Sequence, residues 1–171
     1  MKTMCFKSCF RIASFLILIT GILLSSAVRA QEHVMDTSER AHVMLLPGEM
    51  KWSDGVPSLP PGAKVVVIEG DPAKAGLFTM RAKFPANYTI QAHWHPAFEH
   101  VTVISGTFMM GLGDKFDSKK LKALPAGGFA VMPPKTTHFA MTKEETVIQL
   151  HGMGPWAINY VNPADDPRKK Q

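Results

Sequence analysis

Between residues 62 and 151, glycine, proline and asparagine turns cut this 171-residue chain into short apolar runs. Residues 64–69 (KVVVIE) are β-branched and bounded by Gly62 and Gly70. Residues 77–84, 88–95, 99–105, 107–112, 129–132, 137–141 and 146–151 repeat the pattern, each closed by a turn cluster. Runs of that length leave no room for a long amphipathic helix, and they predict an all-β sandwich or small barrel. Residues 41–46, closed by Pro47-Gly48, form a further strand candidate. Residues 53–62, carrying Pro57, Pro60 and Pro61, read as loop, and the lysine-rich residues 115–124 as a surface excursion with some helical character.

The N-terminus reads as an export signal. Lys2, Lys7 and Arg11 precede an apolar run over residues 12–24, and Val28-Arg29-Ala30 places small residues where a signal peptidase cuts. The run is shorter than the roughly 20 apolar residues of a spanning helix, so cleavage is expected rather than a retained anchor. The expected organisation is a signal peptide at 1–30, a polar segment at 31–40, one folded domain at 41–162 and a tail at 163–171. A periplasmic or secreted location follows, with no stable membrane association after cleavage.

Cleavage changes what the composition implies. The full chain has 19 Lys+Arg against 14 Asp+Glu, a net +5. Four of the basic residues (Lys2, Lys7, Arg11, Arg29) and no acidic one lie in the leader, so the mature chain keeps 15 against 14, or +1. The basic balance therefore belongs to the leader and argues no nucleic-acid partner. Both cysteines, Cys5 and Cys9, leave with it, so disulfides and thiolate chemistry go too.

The chemistry concentrates in residues 92–106, AHWHPAFEHVTVISG. On an extended strand alternate side chains share a face, so His93 and His95 point the same way, about 7 Å apart along the backbone. Pro96 suits the end of a strand, after which the chain can turn and bring Glu99 back beside the histidines. A single histidine taken alone is more often a packed imidazole than a ligand; an ordered set is more specific.

The set grows when the second half of the chain is added. His93, His95, Glu99 and Gly106 have the spacing of the first cupin motif, with Asn87 at its leading glycine position; Gly127, Pro133 and His138 have that of the second, with Lys135 where glycine is usual and Thr142 where asparagine is usual. On these residues the chain resembles the cupin superfamily, and is similar to small exported bacterial cupins. The resemblance implies a double-stranded β-helix, the cupin or jelly-roll barrel, holding a metal on His93, His95, Glu99 and His138. The departures at Asn87, Lys135 and Thr142 fall on turns, not ligands.

Three imidazoles and a carboxylate suit one divalent transition metal, with Fe, Mn, Ni, Co, Cu and Zn all compatible. An octahedral ion would keep two positions open for water, dioxygen or substrate, whereas tetrahedral zinc would be closed and structural. Strand alternation places Gln91 on the face of His93 and His95. It also pairs Gln149 with His151 on the last strand, making Gln91 and His151 the candidates for moving protons. The many Phe and Met residues around the motifs, with Trp156, suit a core and an apolar pocket for a small organic ligand. The expected function is a metal-dependent, oxygenase-type enzyme on a small molecule; the alternatives are an exported ligand-binding or sensor protein and a metal-stabilised structural one. A homodimer is expected, since sheet edges need covering.

Overall fold

The computed structural model describes residues 42–169. The expected signal peptide at 1–30 and the expected polar segment at 31–40 lie outside the described residues.

Among the described residues eleven strands follow in order: β1 (Ser53–Asp54), β2 (Lys64–Glu69), β3 (Gly76–Phe84), β4 (Thr89–Trp94), β5 (Glu99–Ser105), β6 (Thr107–Leu112), β7 (Lys122–Pro125), β8 (Phe129–Met132), β9 (His138–Thr142), β10 (Thr146–Gly154) and β11 (Asn159–Tyr160). They form a six-stranded sheet, β1-β2-β3-β10-β5-β8, and a five-stranded one, β11-β4-β9-β6-β7. Every ladder is antiparallel. From β3 to β6, and again from β8 to β11, each successive strand crosses to the other sheet. The result is the two-sheet jelly-roll barrel that the turn-punctuated sequence predicts.

Alternation on the long strands builds the core between the sheets. Phe78, Met80, Ala82 and Phe84 of β3 are buried while Thr79, Arg81 and Lys83 face outward. Ile148 and Leu150 of β10, and Val101 and Val103 of β5, meet them from the neighbouring strands. Burial of this apolar set, at about 25 cal/mol per Å², supplies the main driving force for closing the barrel.

Both unusual turn residues keep the backbone that the motif requires. Asn87 and Lys135 have φ of 58° and 63°, the left-handed region where glycine is at ease. Pro133, Pro134, Lys135 and Thr136 make a turn closed by the Thr136 N–H on the Pro133 carbonyl (3.1 Å), with φ positive at its third residue as a type II turn demands. Thr142 stands in for asparagine with a fully buried hydroxyl that donates to the Pro85 carbonyl (2.7 Å) and accepts from the Tyr88 N–H (3.3 Å). Gly106 is a true glycine position: φ is +73°, and a Cβ there would lie 2.5 Å from the Glu145 carbonyl oxygen.

Three expectations about the chain are corrected. Residues 42–46 form no strand; Val43, Met44, Leu45 and Leu46 are exposed and have no neighbouring strand to pair with, so their β propensity is not realised. Inside the expected loop, Ser53 and Asp54 pair with Val65 and Lys64 as β1. The 115–124 segment has only a three-residue 3-10 turn, Ser118–Lys120, capped by the Asp117 carboxylate; it then joins the sheet as β7 against β6. Beyond residue 162 the chain folds back, where Arg168 bonds the Asp166 carboxylate (2.7 and 2.8 Å) and the Ile158 carbonyl (3.2 Å).

Candidate metal centre

His93 stands near the end of β4, His95 just past it, and His138 at the start of β9 opposite His93. Glu99 opens β5 on the facing sheet. All four are buried, His95 to 2% exposure and Glu99 to 6%. One ring nitrogen from each histidine lies within 4.8 Å of those of the other two. The Glu99 carboxylate reaches 3.4 Å from His95 Nε2 and 3.3 Å from His138 Nε2.

Backbone carbonyls orient all three rings. His93 Nδ1 lies 2.7 Å from the Gln91 carbonyl, His95 Nδ1 2.8 Å from that of Ala157, and His138 Nδ1 3.0 Å from that of Thr136. A carbonyl only accepts, so each Nδ1 carries the proton and each Nε2 turns a lone pair inward. Those lone pairs meet a carboxylate, which is also an acceptor. His95 Nε2 and Glu99 Oε2 are left buried without a partner. Such orphaned acceptors cost about 1–3 kcal/mol each unless a cation stands between them. The buried His93, His95 and His138 cluster thus fits a divalent metal.

The electrostatics point the same way. Burial, then the nearby rings of His138 and His95, push His93 down to about 3 from the ordinary 6.5, so it is neutral and ready to ligate. Burial alone would raise Glu99, but His95 and His138 beside it hold it well below its usual range. Burial would lower His138, and the Glu99 carboxylate instead holds it above 6.5. Both shifts have one cause, the attraction between the Glu99 carboxylate and a positive charge placed beside it.

The expected proton carriers are not brought to this site. Between Ile90 and His93 the β4–β9 register slips: Ile90 faces Ala140 and His93 faces His138, so β4 spends three steps against two. This bulge puts Ile90 and His93 on the same wall, although they are an odd number of residues apart. Gln91 turns out to a surface cleft with Asp114 and Lys115, and only its carbonyl serves the centre. On β10 it is Ile148 and Leu150 that line the interior, so Gln149 and His151 face out. The His151 ring stacks on His100, centroids 4.7 Å apart, on the outside of the sheet.

Around the centre lies a cavity of about 40 Å³, walled mainly by aliphatic and aromatic side chains. The share of the wall that the proline-rich loop supplies escapes sequence reasoning. Val56 and Leu59, from the proline-rich loop, close one side, and Tyr160 pins that loop by donating to the Ser58 carbonyl (2.8 Å) while Tyr88 donates to that of Pro60. Trp156 forms another wall, stacked on His95 at 4.2 Å between centroids and 19° between planes. The proline spacing marked a loop without saying what it covers, and the carbonyls that orient the rings have no side-chain signature at all.

Comparison with known proteins agrees with this architecture. Residues 21–159 match the family described as a domain of unknown function, DUF4437. No curated protein matches the sequence. Among solved structures, the polyketide cyclase RemF from Streptomyces resistomycificus superposes with a TM-score of 0.62 at 13% identity, covering 75% of this chain and 92% of its own. A putative acetylacetone dioxygenase from Methylibium petroleiphilum gives 0.58 at 16% identity, covering 76% and 88%. An RmlC-like cupin from Shewanella frigidimarina gives 0.52 at 17% identity, covering 66% and 91%. At such identities the likeness is one of fold.

Proposed function

This chain belongs to the DUF4437 family within the cupin superfamily, and we propose that it is an exported, metal-dependent enzyme of the oxygenase type acting on a small organic molecule. The observation that carries this reading is the convergence of three oriented imidazoles and a carboxylate inside an apolar cavity. His93, His95, Glu99 and His138 would hold one divalent transition metal. When bound, that ion supplies Lewis acidity and a place for oxygen ligands. The chain itself fixes the tautomers through the carbonyls of Gln91, Thr136 and Ala157, and keeps bulk water out with Leu59, Ile158 and Trp156. The fold is shared with a protein described as a putative acetylacetone dioxygenase, and an enolisable compound is the substrate class this reading takes.

The same enclosed apolar cavity also suits a second reading, a binding protein that holds its ligand without turnover. Export rests on the leader read at residues 1–30, and dimer formation on the expectation that sheet edges are covered.

Elemental analysis of the purified protein beside H95A tests the metal claim, and equal metal content in the two would overturn it. Anaerobic titration of the Fe(II) form with a panel of enols and phenols, followed by oxygen, tests the reaction. Spectral change with product supports the enzyme, spectral change without product supports the binding protein, and a silent panel counts against both.

A further inference from the structure

We infer that Trp156 recognises the substrate at this site, its indole N–H donating to an oxygen of a small carboxylate or enolate that is otherwise apolar. The inference rests on the metal reading above, and it names what that cavity accepts.

The polar groups in the cavity wall are few. The lining side chains comprise aliphatic, methionine and phenylalanine residues, the three histidines, Glu99 and Trp156. Each histidine spends its Nδ1–H on a backbone carbonyl, so what the ligand set turns inward is lone pairs and negative charge. Among the lining side chains Trp156 is then the remaining hydrogen-bond donor. Its Nε1 is buried and has no partner in the protein.

That donor is also held in place. The indole stacks on the metal-facing ring of His95 and packs against Phe78 with centroids 5.9 Å apart. Its backbone N–H is fixed on the Pro72 carbonyl at 2.7 Å. Trp156 also precedes Ala157, whose carbonyl orients His95, so donor and ligand are built by the same two residues. A donor beside a cation-binding centre suits a compact anionic head, which can face the ion and accept the N–H together. The rest of the wall includes Met80, Phe84, Phe108, Ile148 and Leu150. These offer nothing to a second hydroxyl, so a sugar or other polyol would bury unpaired groups.

The test uses the full chain loaded with cadmium, a diamagnetic ion that accepts six ligands, with isobutyrate as the anionic probe and glycerol as the polyol control. The indole ¹H–¹⁵N signals are followed, with W52F and W94F assigning Trp156 by elimination. The expected result is a saturable shift of the Trp156 signal with isobutyrate and none with glycerol. W156F should bind isobutyrate about tenfold more weakly, the loss of one charge-assisted hydrogen bond, with cadmium content unchanged. Cadmium uptake with an unmoved indole signal, no isobutyrate binding, or W156F affinity within about twofold of wild type would overturn the inference and leave the metal reading standing. Failure to take up cadmium overturns both. If W156F does not fold, the wild-type indole signal decides.

Discussion

The rings of His93 and His138 lie 4.3 Å apart, centroid to centroid, directly across the β4–β9 ladder. Two imidazoles that close cannot both be charged, and their Nδ1 protons are already committed to the carbonyls of Gln91 and Thr136. The pair is therefore a preformed bidentate ligand, which His95 and Glu99 extend. H93A and H138A should each abolish stoichiometric metal, read by elemental analysis after dialysis. E99Q should retain weakened binding, and it should lower the His138 pKa, because burial, the largest influence, is then opposed only by the Thr136 carbonyl. Histidine NMR of the metal-free variant checks that shift.

The metal-free protein should have a bell-shaped stability profile. The folded pKa of His93 is about 3, against an ordinary 6.5, so between those values the unfolded chain binds more protons and stability rises with pH. The lowered Glu99 adds to the same limb, since its contribution is present above the ordinary carboxylate range and lost as pH falls. His138, raised above 6.5, acts oppositely: its contribution is complete below 6.5 and is lost as pH climbs through the raised value. Each proton contributes a slope of up to about 1.4 kcal/mol per pH unit. Urea titrations across pH should place the maximum near 6.5, and zinc should flatten the alkaline limb by replacing the His138 proton.

Q91A and H151A should leave metal stoichiometry and affinity unchanged. Gln91 contributes a carbonyl that alanine retains, and His151 lies against His100 on the outer surface. Isothermal titration with zinc checks both, and a tenfold loss in either would show that the side chain reaches the centre.

Thr142 tests the second motif. T142V keeps the volume but removes the hydroxyl, orphaning the buried Tyr88 N–H and weakening the tie to Pro85. A loss of about 2 kcal/mol is expected, or roughly 4–8 °C in Tm for a domain of this size. T142N, restoring the residue usual at this position, should recover most of it.

Lys135 tests the turn. K135G removes a side chain from left-handed backbone and should stabilise by up to about 1 kcal/mol, the relief of strain exceeding the added freedom of the unfolded chain. K135V should destabilise by more than that, since a β-branched residue is least at ease there. Thermal melts of the two against wild type give the comparison.

The barrel and its buried histidine cluster were legible because both are written in local spacing. Turn clusters marked β2 to β6 and β8 to β10 but neither β7 nor β11, and His93, His95 and His138 came together as alternation and the two motifs expect. What alternation could not carry was the bulge at residues 90–93, which sends Gln91 outward. Nor could it decide which face of β10 looks inward; the apolar pair Ile148 and Leu150 wins that place over Gln149 and His151, as burial favours. Residues 42–46 erred the other way, a strand pattern with no edge to join. Trp156 stood in the sequence as one aromatic among many, and only tertiary placement gives its N–H a meaning.

The loop carrying Val56 and Leu59 comes from chain ahead of every ligand, yet it forms part of the wall around them and is fastened by two phenols, Tyr88 and Tyr160. On the proposed reading, holding an ion and enclosing a guest fall to separate stretches of sequence. Substitutions within residues 56–60 change that side of the wall without touching His93, His95, Glu99 or His138. For engineering this barrel, that side is the part that can be rewritten independently.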